Sequence, residues 1–174
     1  MVERRNAQKI EWILARITIL YSYKMEIRVA MIGPGGAGKT EILRRLSGEP
    51  FRPSYHPTHG SEIWAIDLQG VRFIVTEYSG QEQLRYVPKE ELDAIQNYIM
   101  VTTESPVDLR SSEKLARKMP ENIPSCWVVN KIDVKGTTHD LGCSAKRNFN
   151  LQEPFMRIAQ MITQRENNET KENN

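Results

Sequence analysis

The sequence predicts a single α/β domain with a mostly parallel sheet, one antiparallel edge strand and helices on both faces. Three observations predict it. An apolar run over 27–32 leads through glycines into an amphipathic segment over 41–46. Further short apolar runs alternate with helical segments along the chain, as in sheets built from strand–helix units. The runs 62–68 and 71–78 are separated only by Gln69-Gly70, which predicts an antiparallel hairpin.

Length and composition limit the function classes. A chain of 174 residues suits one domain. Lys and Arg total 24 against 22 Asp and Glu, a net charge of +2, so no strong basic field indicates a nucleic-acid partner. The cysteines, Cys126 and Cys143, lack metal-ligand spacing and suit a reducing compartment. We therefore expect a cytoplasmic or nuclear protein that binds no nucleic acid.

The chain divides into an N-terminal appendage (1–24), a domain (25–164) and a C-terminal tail (165–174). The apolar run from Ile10 to Tyr23 has 14 residues, whereas a membrane span needs about 20. Three interpretations of the appendage stay open: a partner-binding or interfacial helix, a targeting segment, or an extension upstream of a natural start. We favour a flexible appendage without a chemical role. The tail is almost wholly polar and is expected to be disordered.

The remaining elements follow from composition and apolar spacing. They are a proline-rich loop over 49–60, a polar loop over 79–89, a short helix over 90–95, a strand over 98–103, a helix over 111–119 beginning at a serine cap, a strand over 125–130 and a helix over 154–162. In parallel sheets, ligands bind at the carboxyl ends of the strands. Polar motifs that follow strands are therefore the candidate functional residues.

The segment 33–40 reads Gly-Pro-Gly-Gly-Ala-Gly-Lys-Thr, the G-x-x-x-x-G-K-[ST] pattern of a phosphate-binding loop. Its glycines let backbone N–H groups curl around phosphate oxygens. Lys39 brings a positive charge to the β- and γ-phosphates, and the Thr40 hydroxyl is placed to ligate Mg²⁺. An ordinary glycine-rich turn is the alternative, which the flanking strand and helix disfavour. The residues expected at the nucleotide are Gly33, Gly35, Gly36, Ala37, Gly38, Lys39 and Thr40.

Two further strand ends carry polar motifs. Glu77-Tyr78-Ser79-Gly80-Gln81 can supply an acid near Mg²⁺, a backbone donor at Gly80 and a side chain, Gln81, that orients water. Asn130-Lys131-Ile132-Asp133 offers a carboxylate that can accept both the N1–H and the amine of guanine, with a lysine stem over the base. Ser144-Ala145-Lys146 can offer a backbone N–H to guanine O6. Each motif alone is weak, but their order after successive strands favours a GTP or GDP site.

On these residues the chain resembles a Ras-superfamily small GTPase, a P-loop NTPase G domain, and is most similar to the Ran subfamily. The likeness covers about 25–162 and is strongest in Phe51-x-x-x-Tyr55-x-x-Thr58-x-Gly60, in Asn130 to Lys135 and in Ser144 to Asn150. It implies that Thr58 ligates Mg²⁺ together with Thr40 and Glu77, and that Phe51 stacks on the guanine opposite Lys131. It also implies a catalytic role for Gln81, Lys39 and Gly35.

Two departures from that family stand out. Glu77 occupies a position where the family has aspartate, and its extra methylene moves the carboxylate although Mg²⁺ demands near-ideal geometry. The sequence alone therefore predicts that Glu77→Asp improves Mg²⁺ affinity or hydrolysis. Only ten residues separate Asp133 from Ser144, too few for the family's crossover helix. We expect that helix to be reduced or missing.

The resemblance implies a Ran-like or Rab-like switch that cycles between GTP and GDP, hydrolyses GTP slowly with Mg²⁺, and binds effectors, an activating protein and an exchange factor. No prenylation cysteine stands near the C-terminus, so we expect no lipid anchor, and we expect a monomer. The alternative is a nucleotide-binding decoy with impaired hydrolysis that competes for the partners of a related GTPase. A P-loop kinase is disfavoured, because the guanine motif is present and no arginine-rich lid is visible.

Overall fold

The computed structural model describes residues 25–54, 56–80, 87–133 and 141–172. Its strands are β1 (Met25–Ile32), β2 (Ser61–Leu68), β3 (Val71–Tyr78), β4 (Tyr98–Thr102) and β5 (Ser125–Val129). Its helices are α1 (Lys39–Leu46), α2 (Lys89–Asp93), α3 (Pro106–Ala116) and α4 (Glu153–Glu172). The predicted appendage, Tyr55 of the Ran-like motif, Gln81 and most of the shortened region after Asp133 lie outside the described residues.

The five strands form one sheet in the order β2-β3-β1-β4-β5. β1 runs parallel to β3 and β4, and β4 runs parallel to β5. β2 is antiparallel to β3, with Ser61 opposite Tyr78 and Leu68 opposite Val71. The predicted α/β class with one antiparallel edge strand is confirmed. Because the parallel strands end at one edge, the three polar motifs that follow β1, β3 and β5 are gathered there.

Each face of the sheet buries its own apolar cluster. On one face, the rings of Phe73 on β3 and Phe155 on α4 meet edge to face, with centroids 5.4 Å apart. On the other, Met100 of β4 packs with Leu115 of α3 and with Met119. Side chains alternate between faces along a strand, so the continuous apolar run of β4 is buried on both sides. Helices can therefore pack on both faces of the sheet, as predicted, because a central strand such as β4 is apolar on both sides.

Two helices differ from the sequence prediction. α3 begins at Pro106, with Ser105 as its N-cap residue, and not at the serine cap predicted near 111. Proline suits the first turn because its missing N–H would have no helical partner there. α4 continues to Glu172, so the prediction of a disordered tail over 165–174 is wrong for 165–172. Glu, Lys, Arg and Gln are good helix formers, and adding turns to an already packed helix needs no new nucleation.

The chain lies along the edge of β5 where the described residues resume at Leu141. Val129 donates its N–H to Leu141 O at 3.0 Å, and Cys143 donates to Val129 O at 2.8 Å. Within the described part of this segment, a single bridge, between Val129 and Gly142, joins it to β5. Trp127 on β5 keeps 38 % of its surface exposed. Among the described helices, none is long and apolar enough to cross a membrane.

Candidate functional site

The phosphate-binding loop connects β1 to α1 at the carboxyl edge of the sheet. Gly38 is the N-cap residue of α1 and has a φ of 93°, a left-handed conformation that favours glycine. A Cβ there would lie 2.3 Å from Asn130 Nδ2, so the loop and the guanine motif are in close contact. The Lys39 ammonium is buried and donates to Gly33 O at 3.0 Å and to Pro34 O at 3.2 Å. The helix N-terminus and this ammonium form an anion site.

Burial lowers the pKa of Lys39 to about 8, although the nearby Glu77 carboxylate acts in the opposite direction. The unfolded state therefore binds more protons than the folded state between about pH 8 and 10.5. Nucleotide-free protein should accordingly gain stability as the pH rises through that window.

We expect GDP binding at pH 9 to take up about one proton, because phosphate charge beside Lys39 restores its protonated form. Calorimetry in two buffers of different ionisation enthalpy at the same pH measures this uptake. Equal binding enthalpies in both buffers would contradict it. Repeating the titration at pH 7, where Lys39 is already mostly charged, gives the matched control, with uptake well below that at pH 9.

Three oxygen-bearing side chains meet beside the loop. The Thr40 hydroxyl donates to Glu77 Oε1 at 2.6 Å, and Thr40 Oγ1 lies 2.9 Å from Thr58 Oγ1. Glu77 is 1 % exposed, and its Oε2 atom has no hydrogen-bond partner. Burial raises the pKa of Glu77, whereas the bond from Thr40 and the charge of Lys39 lower it. A buried carboxylate beside two hydroxyls is a set of hard oxygen donors that fits a hard cation such as Mg²⁺. The residues predicted as metal ligands are therefore brought together.

The guanine motif is held in place by Asn130, which is 2 % exposed. Its Nδ2 donates to Ala37 O at 2.8 Å, and its Oδ1 accepts from Ala145 N at 3.2 Å. Ser144 donates to Asp133 Oδ1 at 2.6 Å. That hydrogen bond lowers the pKa of Asp133, so the carboxylate stays ionised and can accept from two donors on a base. The Asp133 side chain is only 8 % exposed, which strengthens such bonds.

A cavity of about 530 Å³ joins the phosphate loop, the metal ligands and the guanine motif. Its wall includes these predicted residues: Gly35, Gly36, Gly38, Lys39, Thr40, Phe51, Thr58, Glu77, Gly80, Asn130, Lys131, Asp133, Ala145 and Lys146. Gly33, Ala37 and Ser144 are buried and do not line it. Ser144 thus acts through Asp133, and Ala37 through the hydrogen bond from Asn130.

Gly80 brings the segment after β3 against the phosphate loop. A Cβ on Gly80 would lie 2.8 Å from Gly35 N and 2.9 Å from Gly35 Cα, so no larger residue fits without moving one backbone. The predicted catalytic residue Gln81 follows directly but lies outside the described residues. Tyr78 donates its hydroxyl to Glu91 Oε1 at 2.9 Å, which ties the end of β3 to α2.

Sequence reasoning missed several polar residues in the same wall, among them Arg44, Glu62 and Trp64. A signal for the last two was present. Residues two apart on a strand share a face, and Glu62 lies directly opposite Glu77 across the β2–β3 pair. The hairpin register therefore places Glu62 and Trp64 on the face that carries Glu77.

A family model described as the ADP-ribosylation factor family, Arf, matches residues 13–167. The chain belongs to the Arf family. It is 35% identical over 100 residues to the ADP-ribosylation factor-like protein alp41 of Schizosaccharomyces pombe. That match covers 56% of this chain and 53% of alp41, so the chain spans about half the length of this relative.

The Arf relationship confirms the Ras-superfamily assignment but does not support the Ran subfamily. The segments that carried the Ran-like resemblance, Asn130 to Asp133 and Ser144 to Lys146, surround the guanine end of the cavity. They are constrained by the base and the phosphates, so they identify a small GTPase and discriminate poorly among subfamilies. Small GTPases of the Arf family bind GTP or GDP with Mg²⁺ and hydrolyse GTP.

Proposed function

We propose that this Arf-family chain is a guanine-nucleotide switch that binds GTP or GDP with Mg²⁺ and hydrolyses GTP slowly. The observation that carries the proposal is the continuity of its cavity. The ionised Asp133 lies at one end, and Lys39 with the Thr40, Thr58 and Glu77 oxygens lies at the other. This cavity holds both a carboxylate suited to a base and a phosphate site. It therefore suits a whole nucleotide better than a sugar, a phosphate or a metal ion bound alone.

Each group has a distinct part in binding. Asp133 accepts the N1–H and amine of guanine. Asn130 joins the segment at Ala145 to the phosphate loop, because it accepts from the Ala145 N–H and donates to Ala37 O. Lys39 leaves its two backbone carbonyl partners and pairs with phosphate oxygens, a stronger, charge-assisted interaction. The buried Glu77 carboxylate and the two threonine hydroxyls hold Mg²⁺, which supplies positive charge to the phosphates when bound.

Hydrolysis needs a water in line with the γ-phosphate. Gly80 packs against Gly35 of the phosphate loop, and Gln81 is the next residue in the sequence. Gln81 orients this water. Without an activating protein, small GTPases hydrolyse GTP at a rate on the order of 10⁻⁴ s⁻¹. An activating protein that supplies an arginine raises this rate about 10⁵-fold. Switch segments around Thr58 and Gly80 then respond to the loss of the γ-phosphate and change the surface offered to effectors and an exchange factor.

Single-turnover hydrolysis of radiolabelled GTP by the full chain, with ATP as the matched control, tests the proposal. We expect slow release of phosphate from GTP on the 10⁻⁴ s⁻¹ scale and no release from ATP above the protein-free blank. Equal release from both nucleotides would contradict guanine specificity.

One observation favours a second candidate, a nucleotide-binding decoy with impaired hydrolysis. Glu77 replaces the aspartate expected from the family resemblance and is buried, so its longer stem changes the metal position. The two candidates differ in one result. The decoy binds GTP as tightly as GDP but releases no phosphate even after an arginine-supplying activator is added.

A further inference from the structure

Two buried polar atoms in the nucleotide cavity lack partners and are complementary. Trp64 Nε1 and Glu77 Oε2 are both buried without a hydrogen bond in the described part of the chain. Both residues line the same cavity. An indole N–H only donates and an ionised carboxylate only accepts. A buried donor or acceptor that is left unpaired destabilises the protein, so each atom needs a partner.

The register of the hairpin places these side chains on one face. Glu62 is opposite Glu77, and Trp64 is opposite Val75. Trp64 is therefore the diagonal neighbour of Glu77, a separation of about 7–8 Å between backbones that large side chains can bridge. Aspartate at position 77 would be shorter by one methylene and would fall back from the indole.

The charges around Glu77 explain why a donor is needed there. Glu62 lies directly opposite Glu77 across the β2–β3 pair, and like charges in directly opposite positions repel each other. The indole is thus the uncharged donor, contributed by β2, that offsets part of the repulsion between two carboxylates on paired strands.

We propose that Trp64 is a positioning residue for the metal site: when the cation binds, the indole N–H pairs with Glu77 Oε2, so that Oε1 faces Thr40 and the cation. The inference deepens the proposed function and rests on it, because the cation in question is the Mg²⁺ of the nucleotide complex. Trp64 and the glutamate then form one unit, in which the longer acid is accommodated by a donor from the neighbouring strand.

The direct test removes the N–H and keeps an aromatic ring. Mg²⁺ is titrated calorimetrically into metal-stripped protein–GDP complex of the full chain, for wild type, Trp64→Phe and the control Trp127→Phe on β5. We expect Trp64→Phe to weaken Mg²⁺ binding at least about tenfold, as such outer-shell changes do. The Mg²⁺ affinity of the Trp127→Phe variant should match that of wild type. Unchanged Mg²⁺ affinity in Trp64→Phe would overturn the proposal.

Combining the change with Glu77→Asp separates positioning from packing. Glu77→Asp alone should weaken Mg²⁺ binding about 10–100-fold, because the site is built around the glutamate. This reverses the expectation drawn from the sequence alone. In the Glu77→Asp background, Trp64→Phe should have less than about a twofold further effect, since the shorter acid no longer reaches the indole. Equal weakening in both backgrounds would show that Trp64 acts independently of the glutamate and would overturn the proposal.

An isosteric analogue covers the case in which Trp64→Phe does not fold. In a Trp12→Phe, Trp127→Phe background, Trp64 is replaced by 3-benzothienylalanine, which keeps the bicyclic ring but has no N–H. The same loss of at least about tenfold in Mg²⁺ affinity is expected, and affinity equal to that of the tryptophan protein would overturn the inference. If the wild-type complex itself binds neither GDP nor Mg²⁺, the proposed function fails, a result distinguishable from these.

Discussion

Asp133→Asn is expected to lower the affinity for GDP at least about a hundredfold. The substitution keeps the shape of the side chain but removes its charge and places an amide donor where two guanine donors point. Hydrogen bonds to charged groups contribute about 1.5–3 kcal/mol each, so losing two accounts for a factor of about a hundred or more. Competition with a fluorescent GDP analogue measures the change.

The matched control is Asp93→Asn, the same substitution on the exposed face of α2. It should bind GDP as wild type does. Ser144, which is fully buried, can still donate to the amide oxygen that replaces Asp133 Oδ1, so the fold should remain. If Asp133→Asn retained wild-type GDP affinity, the guanine end of the cavity would be misassigned.

Gln81→Leu is expected to abolish measurable GTP hydrolysis while leaving GTP and GDP affinity unchanged. Leucine has a similar volume but cannot orient water by hydrogen bonding, and misplacing a reacting group by about 1 Å can cost 10²-fold. Gly80, the residue before Gln81, packs against Gly35 of the phosphate loop. We therefore expect the substitution to lower the rate of the chemical step and not the affinity for nucleotide. Single-turnover rates at saturating GTP measure it.

Gln83→Leu makes the same substitution two residues further along the chain and serves as the control. It should hydrolyse GTP at the wild-type rate. Equal rates for Gln81→Leu and wild type would mean that another group orients the water. A parallel loss in both variants would point to a general disturbance of the segment.

The sheet and the core could be predicted because each strand carries a local signal. The apolar run of β1, the turn at Gln69-Gly70 and the buried run of β4 specify pairing and layers. The helix ends were harder to predict. Pro106 began α3 earlier than the serines at 111 and 112 suggested, and the polar end of α4 stayed helical because its packed first turns nucleate it.

Candidate site residues could be predicted where they belong to one short, contiguous motif. The phosphate loop and the guanine motif are contiguous, so their residues were identified before the fold. Glu62 and Trp64 were missed because their proximity to Glu77 depends on hairpin register, a property of two strands together. The Ran subfamily is not supported by the comparisons, and the reason is related: the segments that suggested it are motifs expected at the nucleotide in any small GTPase.

Competition of unlabelled GDP and ADP against a fluorescent GDP analogue, in the presence of Mg²⁺, tests the guanine-nucleotide switch most directly. Asp133 lies at the base end of the cavity. Adenine would leave both of its carboxylate oxygens without the two donors that guanine supplies, at a cost of about 1–3 kcal/mol each. The wild-type full chain should prefer GDP over ADP by at least about a hundredfold. Equal affinities for the two nucleotides would contradict a guanine-specific site.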